Sequence, residues 1–202
     1  MFALVDKSDN SITRMLNGNK GIQIGDLKYP RAIYTLWTEA ERNAINIYTV
    51  TINESKRKDE KWYINTDITY AFGSGKVTGS YGDATAKAHA DTLYTAEDED
   101  NELGTEGEVK VEGLKTILIR QVKLEAANEL SNTDWYVVRK SEESTAIPSA
   151  ITTHRRAVRS KQAAMETSIT NASDTPALET LYTYTTNDSG VTSRPLGEIP
   201  KL

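Results

Sequence analysis

Few residues in this chain have the type and spacing for chemistry. There are two histidines, His89 and His154, and no cysteine, so disulfides, thiolate metal sites and a cysteine nucleophile are excluded and imidazole chemistry has little material. Gly73-Ser74-Gly75-Lys76 has the residues of a phosphate loop, but Tyr70 stands where that motif needs glycine and Val77 where it needs a hydroxyl. A dinucleotide fingerprint fails at Thr78. Asp98, Asp100 and Glu102 alternate as calcium-loop ligands do, yet Leu103 takes the glycine position and Val109 that of the closing glutamate. His154 falls on the apolar side of an expected helix with no serine elbow nearby, and reads as a packed or hydrogen-bonded histidine. Glu142 and Glu143 are adjacent, which does not make a glycosidase pair. No catalytic, cofactor or metal site is expected, and the chain reads as a binding protein rather than an enzyme.

One constellation stands out, between Leu130 and Arg159. Thr133 or Asp134 can start a helix by accepting a backbone hydrogen bond, and Trp135 is expected to bury its ring in the corner between two helices. Arg155 and Arg159 lie four residues apart on one helical face, a candidate carboxylate-binding face for a partner. In the structural alternative Trp135 pins the hairpin and the arginines pair with Glu142, Glu143 or solvent.

The elements that position these residues follow from charge and periodicity. Of 202 residues, 24 are basic and 29 acidic, for a net charge of −5. Residues 1–96 and 109–202 are each nearly balanced, and the excess lies in 97–108, where Glu97, Asp98, Glu99, Asp100, Glu102, Glu106 and Glu108 meet no base. Neither flank attracts nucleic acid by bulk charge, and Lys56-Arg57-Lys58 is followed at once by Asp59 and Glu60, a solvated loop. Like charges so close favour an extended backbone, so 97–110 is expected to be an acidic linker. No run of apolar residues is long enough to cross a membrane, and no signal peptide is evident, so a soluble protein made in a reducing cytoplasm is expected.

The expected fold class is α+β, with a small antiparallel lobe over 1–96, a helical hairpin or small bundle over 111–182 and a turn-rich tail over 183–202. Residues 62–72 alternate over eleven positions, and 73–76 supply a hairpin turn before a returning strand at 77–81. Tyr48, Val50 and Ile52 mark another strand, with shorter ones at 1–5 and 21–24. Thr38 caps a helix at 39–44, and the alanine-rich 83–95 suggests another, with His89 exposed. Beyond the linker Leu114, Leu118 and Val122 have helical spacing, as do Ile151, Val158, Met165 and Ala172 after Pro148, and a third helix opens at Pro176. The two long stripes bury each other most simply within the chain, an oligomeric coiled coil being the alternative. The tail either docks on a lobe or engages a neighbour.

Residues 115–170 resemble the C-terminal helical module of tailed-bacteriophage tail assembly chaperones, found also on tail-fibre proteins. That family has a helix ending in Leu-x-x-(Ser/Thr)-Asp-Trp, a proline opening a second helix, then Trp-x-x-Tyr-Arg-x-x-Leu-Arg. Leu130, Thr133, Asp134, Trp135, Pro148, Arg155 and Arg159 match, Val158 replaces the leucine, and Ile151 and His154 stand at the two aromatic positions. Gly25 to Pro30, Leu36-Trp37-Thr38, Glu41-Arg42 and Ile45 to Tyr48 look like the opening of other phage tail accessory proteins. The resemblance implies a component of the virion tail near the baseplate or fibre attachment, made in the host cytoplasm. It implies binding to fibre, baseplate or tube proteins, without nucleic acid, membrane insertion or cofactor. A transient assembly chaperone is the alternative, and a lobe touching host glycans through Tyr63, Tyr81 or Tyr94 is a second.

Overall fold

A computed structural model describes residues 1–202. It divides into two compact units, Met1–Thr85 and Ala86–Leu202. The fold is α+β, with strands concentrated in the first half and helices in the second.

The first unit holds β1 (Phe2–Asp6), β2 (Ser11–Leu16), β3 (Ile22–Ile24), β4 (Leu27–Tyr29), α1 (Ile33–Leu36), α2 (Glu39–Ala44), β5 (Ile47–Asn53), β6 (Tyr63–Ile64), β7 (Thr69–Gly73) and β8 (Lys76–Ser80), and the two residues of the short β9 (Thr85–Ala86) fall on either side of the boundary. Five strands form one sheet in the order β2-β1-β5-β8-β7. All its pairings are antiparallel except β5 with β8, which run parallel. The edge strands β2 and β7 approach one another, so the sheet curls. Alternation along β1 then feeds two cores. Ala3 and Val5 join Tyr48 and Val77 on one face, and Phe2 and Leu4 pack on the other with Ile22, Ile33, Tyr34 and Ile47.

Local chemistry sets the breaks. Thr38 and Glu41 form a capping box on α2. Ser74 and Gly75 both have positive φ in the β7–β8 turn, the conformation a two-residue hairpin requires. The expected eleven-residue strand is interrupted between β6 and β7. There the Asn65 side chain accepts from Lys58 N at 2.8 Å and donates to Lys58 O at 2.9 Å, and Thr66 Oγ1 accepts from Gly82 N. Side chains thus compete with the ladder for backbone groups.

The second unit contains β10 (Thr92–Leu93), α3 (Ala96–Asp100), β11 (Val109–Val111), α4 (Leu114–Ser131), α5 (Asp134–Glu143), α6 (Ser149–Asn171), α7 (Thr175–Tyr182), β12 (Thr185–Thr186) and β13 (Thr192–Ser193). Two expectations fail here. Residues 83–95 are not a helix, because the carbonyls of Lys87, Ala88 and His89 accept from Thr175 Oγ1, Leu114 N and Lys115 N. His89 is half-buried.

The acidic segment is also not a linker, since the units divide at Thr85 and 97–108 belongs wholly to the second. It is a folded knob. A Thr95–Asp98 capping box starts α3, Lys110 Nζ lies 2.6 Å from Asp98 Oδ1, and β10 pairs with β11 at its base. The Tyr94 ring lies against Gly104, where an added Cβ would sit 2.5 Å from Cζ.

Helices α4 and α6 pack together through Leu118, Val122 and Ala126 on one side and Ile151, Val158, Met165 and Ile169 on the other. Gly113, the N-cap of α4, has no side chain to offer. Asp91 replaces it, accepting Gly113 N at 2.6 Å and Thr116 Oγ1 at 2.8 Å, and these bonds hold its carboxyl below the usual range. The tail docks on its own unit, with Leu196 and Ile199 buried and Lys161 Nζ donating to Leu196 O at 2.7 Å.

Candidate functional site

Helix α4 ends at Ser131, and a tight turn brings Thr133 to the start of α5. The Thr133 hydroxyl makes no helix cap. It donates to Leu130 O at 3.0 Å and accepts from Arg155 Nη1 at 2.7 Å. The same guanidinium nitrogen reaches Leu130 O at 2.8 Å, while Nη2 meets Asp134 Oδ1 at 2.8 Å. Arg155 and Thr133 are both buried, and Asp134 balances the buried cation. Three backbone or side-chain acceptors around one planar fork fix the α4–α5 corner against α6.

This corner corrects the sequence expectation for Trp135. Its side chain is 51% exposed and pins nothing. The ring lies 3.8 Å from that of Tyr136, centroid to centroid, and the Arg139 guanidinium sits 4.7 Å from its centroid. Val137 and Val138 are also exposed, and no residue of α5 is buried. Arg155 does the pinning instead, and it pairs with Asp134 rather than with Glu142 or Glu143.

Arg159 is one turn beyond Arg155 but stays outside the clamp, exposed and with no carboxylate bound. With Arg156 it lines a groove of about 380 Å³ whose apolar wall is Val137 and Ile147. The four residues singled out therefore divide. Asp134 and Arg155 build the corner, and Trp135 and Arg159 are presented to solvent.

A second polar cluster was not anticipated beyond the packed character of His154. Glu129 falls in register with Leu118, Val122 and Ala126 and is buried. His154 Nε2 lies 3.1 Å from Glu129 Oε1, Leu202 N donates to the same oxygen at 3.0 Å, and Lys201 Nζ is 3.3 Å from Oε2. Since a carboxylate only accepts, the imidazole carries its proton on Nε2. Burial pushes the Glu129 carboxyl up, but the Lys201 and Leu202 hydrogen bonds and the nearby Lys201 and His154 charges outweigh it and hold the group below its usual value. The pair has the members of a catalytic dyad, with no side-chain hydroxyl hydrogen-bonded to the imidazole. Its partners make it a tie that holds the tail. A glutamate on an apolar helical stripe is the sequence signal that marks it.

No three His, Asp or Glu side chains gather to hold a metal ion, and no helix is long and apolar enough to cross a membrane. Of the tyrosines considered for glycan contact, Tyr63 is buried, and Tyr81 and Tyr94 are half-buried. Of the N-terminal residues 25–48, Tyr29 and Trp37 meet edge to face at 5.9 Å and Arg42 donates to Trp37 O, while Leu27 and Leu36 are exposed and Tyr48 packs in the other core.

Comparison with protein-family models, with curated proteins and with solved structures gave no match.

Proposed function

We propose that this chain is a structural or accessory protein of a bacteriophage tail, a virion component near the baseplate or fibre attachment that acts by binding other tail proteins. The observation that carries the reading is the division of labour among the residues of the Thr-Asp-Trp and Arg-x-x-x-Arg pattern. Arg155 spends its hydrogen bonds on fixing the corner, and the fixed corner displays Trp135, Val137 and Val138. Aromatic and aliphatic groups on a rigid helix, edged by arginines, have the composition of protein-docking surfaces. The transient-chaperone alternative uses the same surface and differs only in whether the chain stays.

Co-expression of the tagged chain with the tail proteins encoded beside it tests the reading. Wild-type protein is expected to co-purify with one of them, and Trp135→Ala to lose it at unchanged folding. Equal recovery by both proteins overturns the assignment of this surface.

A further inference from the structure

The acidic knob and the arginine groove carry complementary surfaces that the chain leaves unused. Within the knob only Asp98 has a cationic partner, Lys110, and Glu99 accepts the Glu106 amide. Glu97, Asp100, Glu102, Glu106 and Glu108 are exposed and pair with no base, and Leu103 stands 60% exposed among them. The groove between α5 and α6 presents the reverse. Arg156 and Arg159 are exposed and pair with no acid, around the apolar wall of Val137 and Ile147. Asp134, at the start of α5, is taken by Arg155, and Glu166, which lines a neighbouring groove with Arg159, meets Lys123 Nζ at 3.7 Å. Glu142 and Glu143 follow Val137 by five and six residues and so point about 140° and 120° away from it on a helix of about 100° per residue.

We propose that the knob of one copy seats in the arginine groove of a second copy, with Leu103 against Val137 and Ile147 and the knob carboxylates on Arg156 and Arg159. Carboxylate–guanidinium pairs around an apolar centre have the anatomy of a specific contact. The knob is already held by its capping box, by Lys110 and by Tyr94 against Gly104, so little ordering entropy is lost on docking. Knob and groove are different surfaces, so the contact is heterologous and propagates head to tail into a ring or a filament. A second copy is favoured over a foreign acidic segment because both halves of the charge pattern lie on this chain, unmatched within it. The contact does not depend on the assembly in which the protein works.

Sedimentation of the full-length chain over a range of concentrations tests this, at about 50 mM and about 500 mM salt, where screening differs strongly. A knob-sized contact is at the small end of protein interfaces, so concentrations from about 10 μM upward are needed. Wild-type protein is expected to associate at low salt and to dissociate at high salt. The groove variant Arg156→Glu with Arg159→Glu, and a knob variant in which Asp100, Glu102, Glu106 and Glu108 are all replaced by lysine, which takes 97–108 from seven uncompensated acids to a small net positive charge, are each expected to be monomeric. An equimolar mixture of the two recovers association, since knobs and grooves of alternating copies are then opposite in charge. A wild-type monomer at every concentration, association indifferent to either reversal, or no recovery on mixing two variants with native circular dichroism would overturn the proposal.

Discussion

Arg155 Nη1 lies 2.7 Å from the hydroxyl oxygen of Thr133, across a separation of 22 residues, and both side chains are buried. The bond ties the second turn of α6 to the residue at which α4 gives way to α5. With the contacts of the same guanidinium to Leu130 O and Asp134, it sets where α5 starts.

Replacing Arg155 by alanine removes donors from Leu130 O and Thr133 Oγ1 together with the partner of Asp134. A loss of about 2–4 kcal/mol is expected in urea unfolding. Arg155→Lys recovers only part of it, because one ammonium cannot span three acceptors on a planar fork. A loss below about 0.5 kcal/mol would mean that the corner is held by other contacts.

Trp135→Ala gives the opposite pattern. A half-exposed ring stacked on Tyr136 and Arg139 contributes little to the core, so a stability change under about 1 kcal/mol is expected by chemical denaturation. A cost of about 3–5 kcal/mol, which full burial of the ring would give, would contradict its exposure.

Two glycines separate kinds of crowding. At Gly113 an added Cβ would stand 2.3 Å from the backbone carbonyl of Ala90, and Gly113→Ala is expected to cost about 3 kcal/mol or more. At Gly79 it meets the side chains of Tyr70, Ile52 and Ile68 at 2.7–2.8 Å, which can shift, so Gly79→Ala should cost about 1–2 kcal/mol. Urea midpoints of the two variants give the order, and a milder Gly113→Ala would contradict it.

Acid should loosen the second unit at two places. Lys110, hydrogen-bonded to Asp98, and the Thr95 amide lower the Asp98 carboxyl to about 2. Glu129 is lowered too, in spite of its burial, by the Lys201 and Leu202 contacts. A carboxylate whose folded value lies below its unfolded one stabilises the fold fully above the unfolded value, about 3.9 for Asp and 4.3 for Glu, and that stabilisation goes as pH falls through the folded value. Hydrogen-exchange protection factors, which remove the pH dependence of the intrinsic rate, are therefore expected to fall at residues 94–110 and 196–202 below about pH 4. Glu129→Gln should remove the pH dependence at the tail and leave that of the knob. Unchanged tail protection factors on acidification would contradict the tie.

Much of the architecture is legible where local signals and burial agree. Thr38 with Glu41, Ser74-Gly75, and the seven-residue spacing of Ile151, Val158 and Met165 specify their elements with little help from the rest of the chain. The misreadings share a cause. Alanine propensity in 83–90 is overridden because distant donors claim its carbonyls, the alternation of 62–72 because Asn65 and Thr66 bind backbone, and the repulsion in 97–108 because Asp98 is capped and paired with Lys110. Of the site, the residue types were legible and their roles were not. Arg155 and Trp135 exchange the buried and exposed positions that size and charge suggest, since a planar cation with three acceptors is satisfied in the corner while the indole finds its neighbours on α5 itself.

Quantitative mass spectrometry of tailed particles purified from the phage whose genome carries this chain addresses the proposed function most directly. A resident tail protein is expected in intact particles at a fixed ratio to the other tail proteins, retained through a high-salt wash. Its absence from particles that contain every other tail protein would contradict the reading as a virion component.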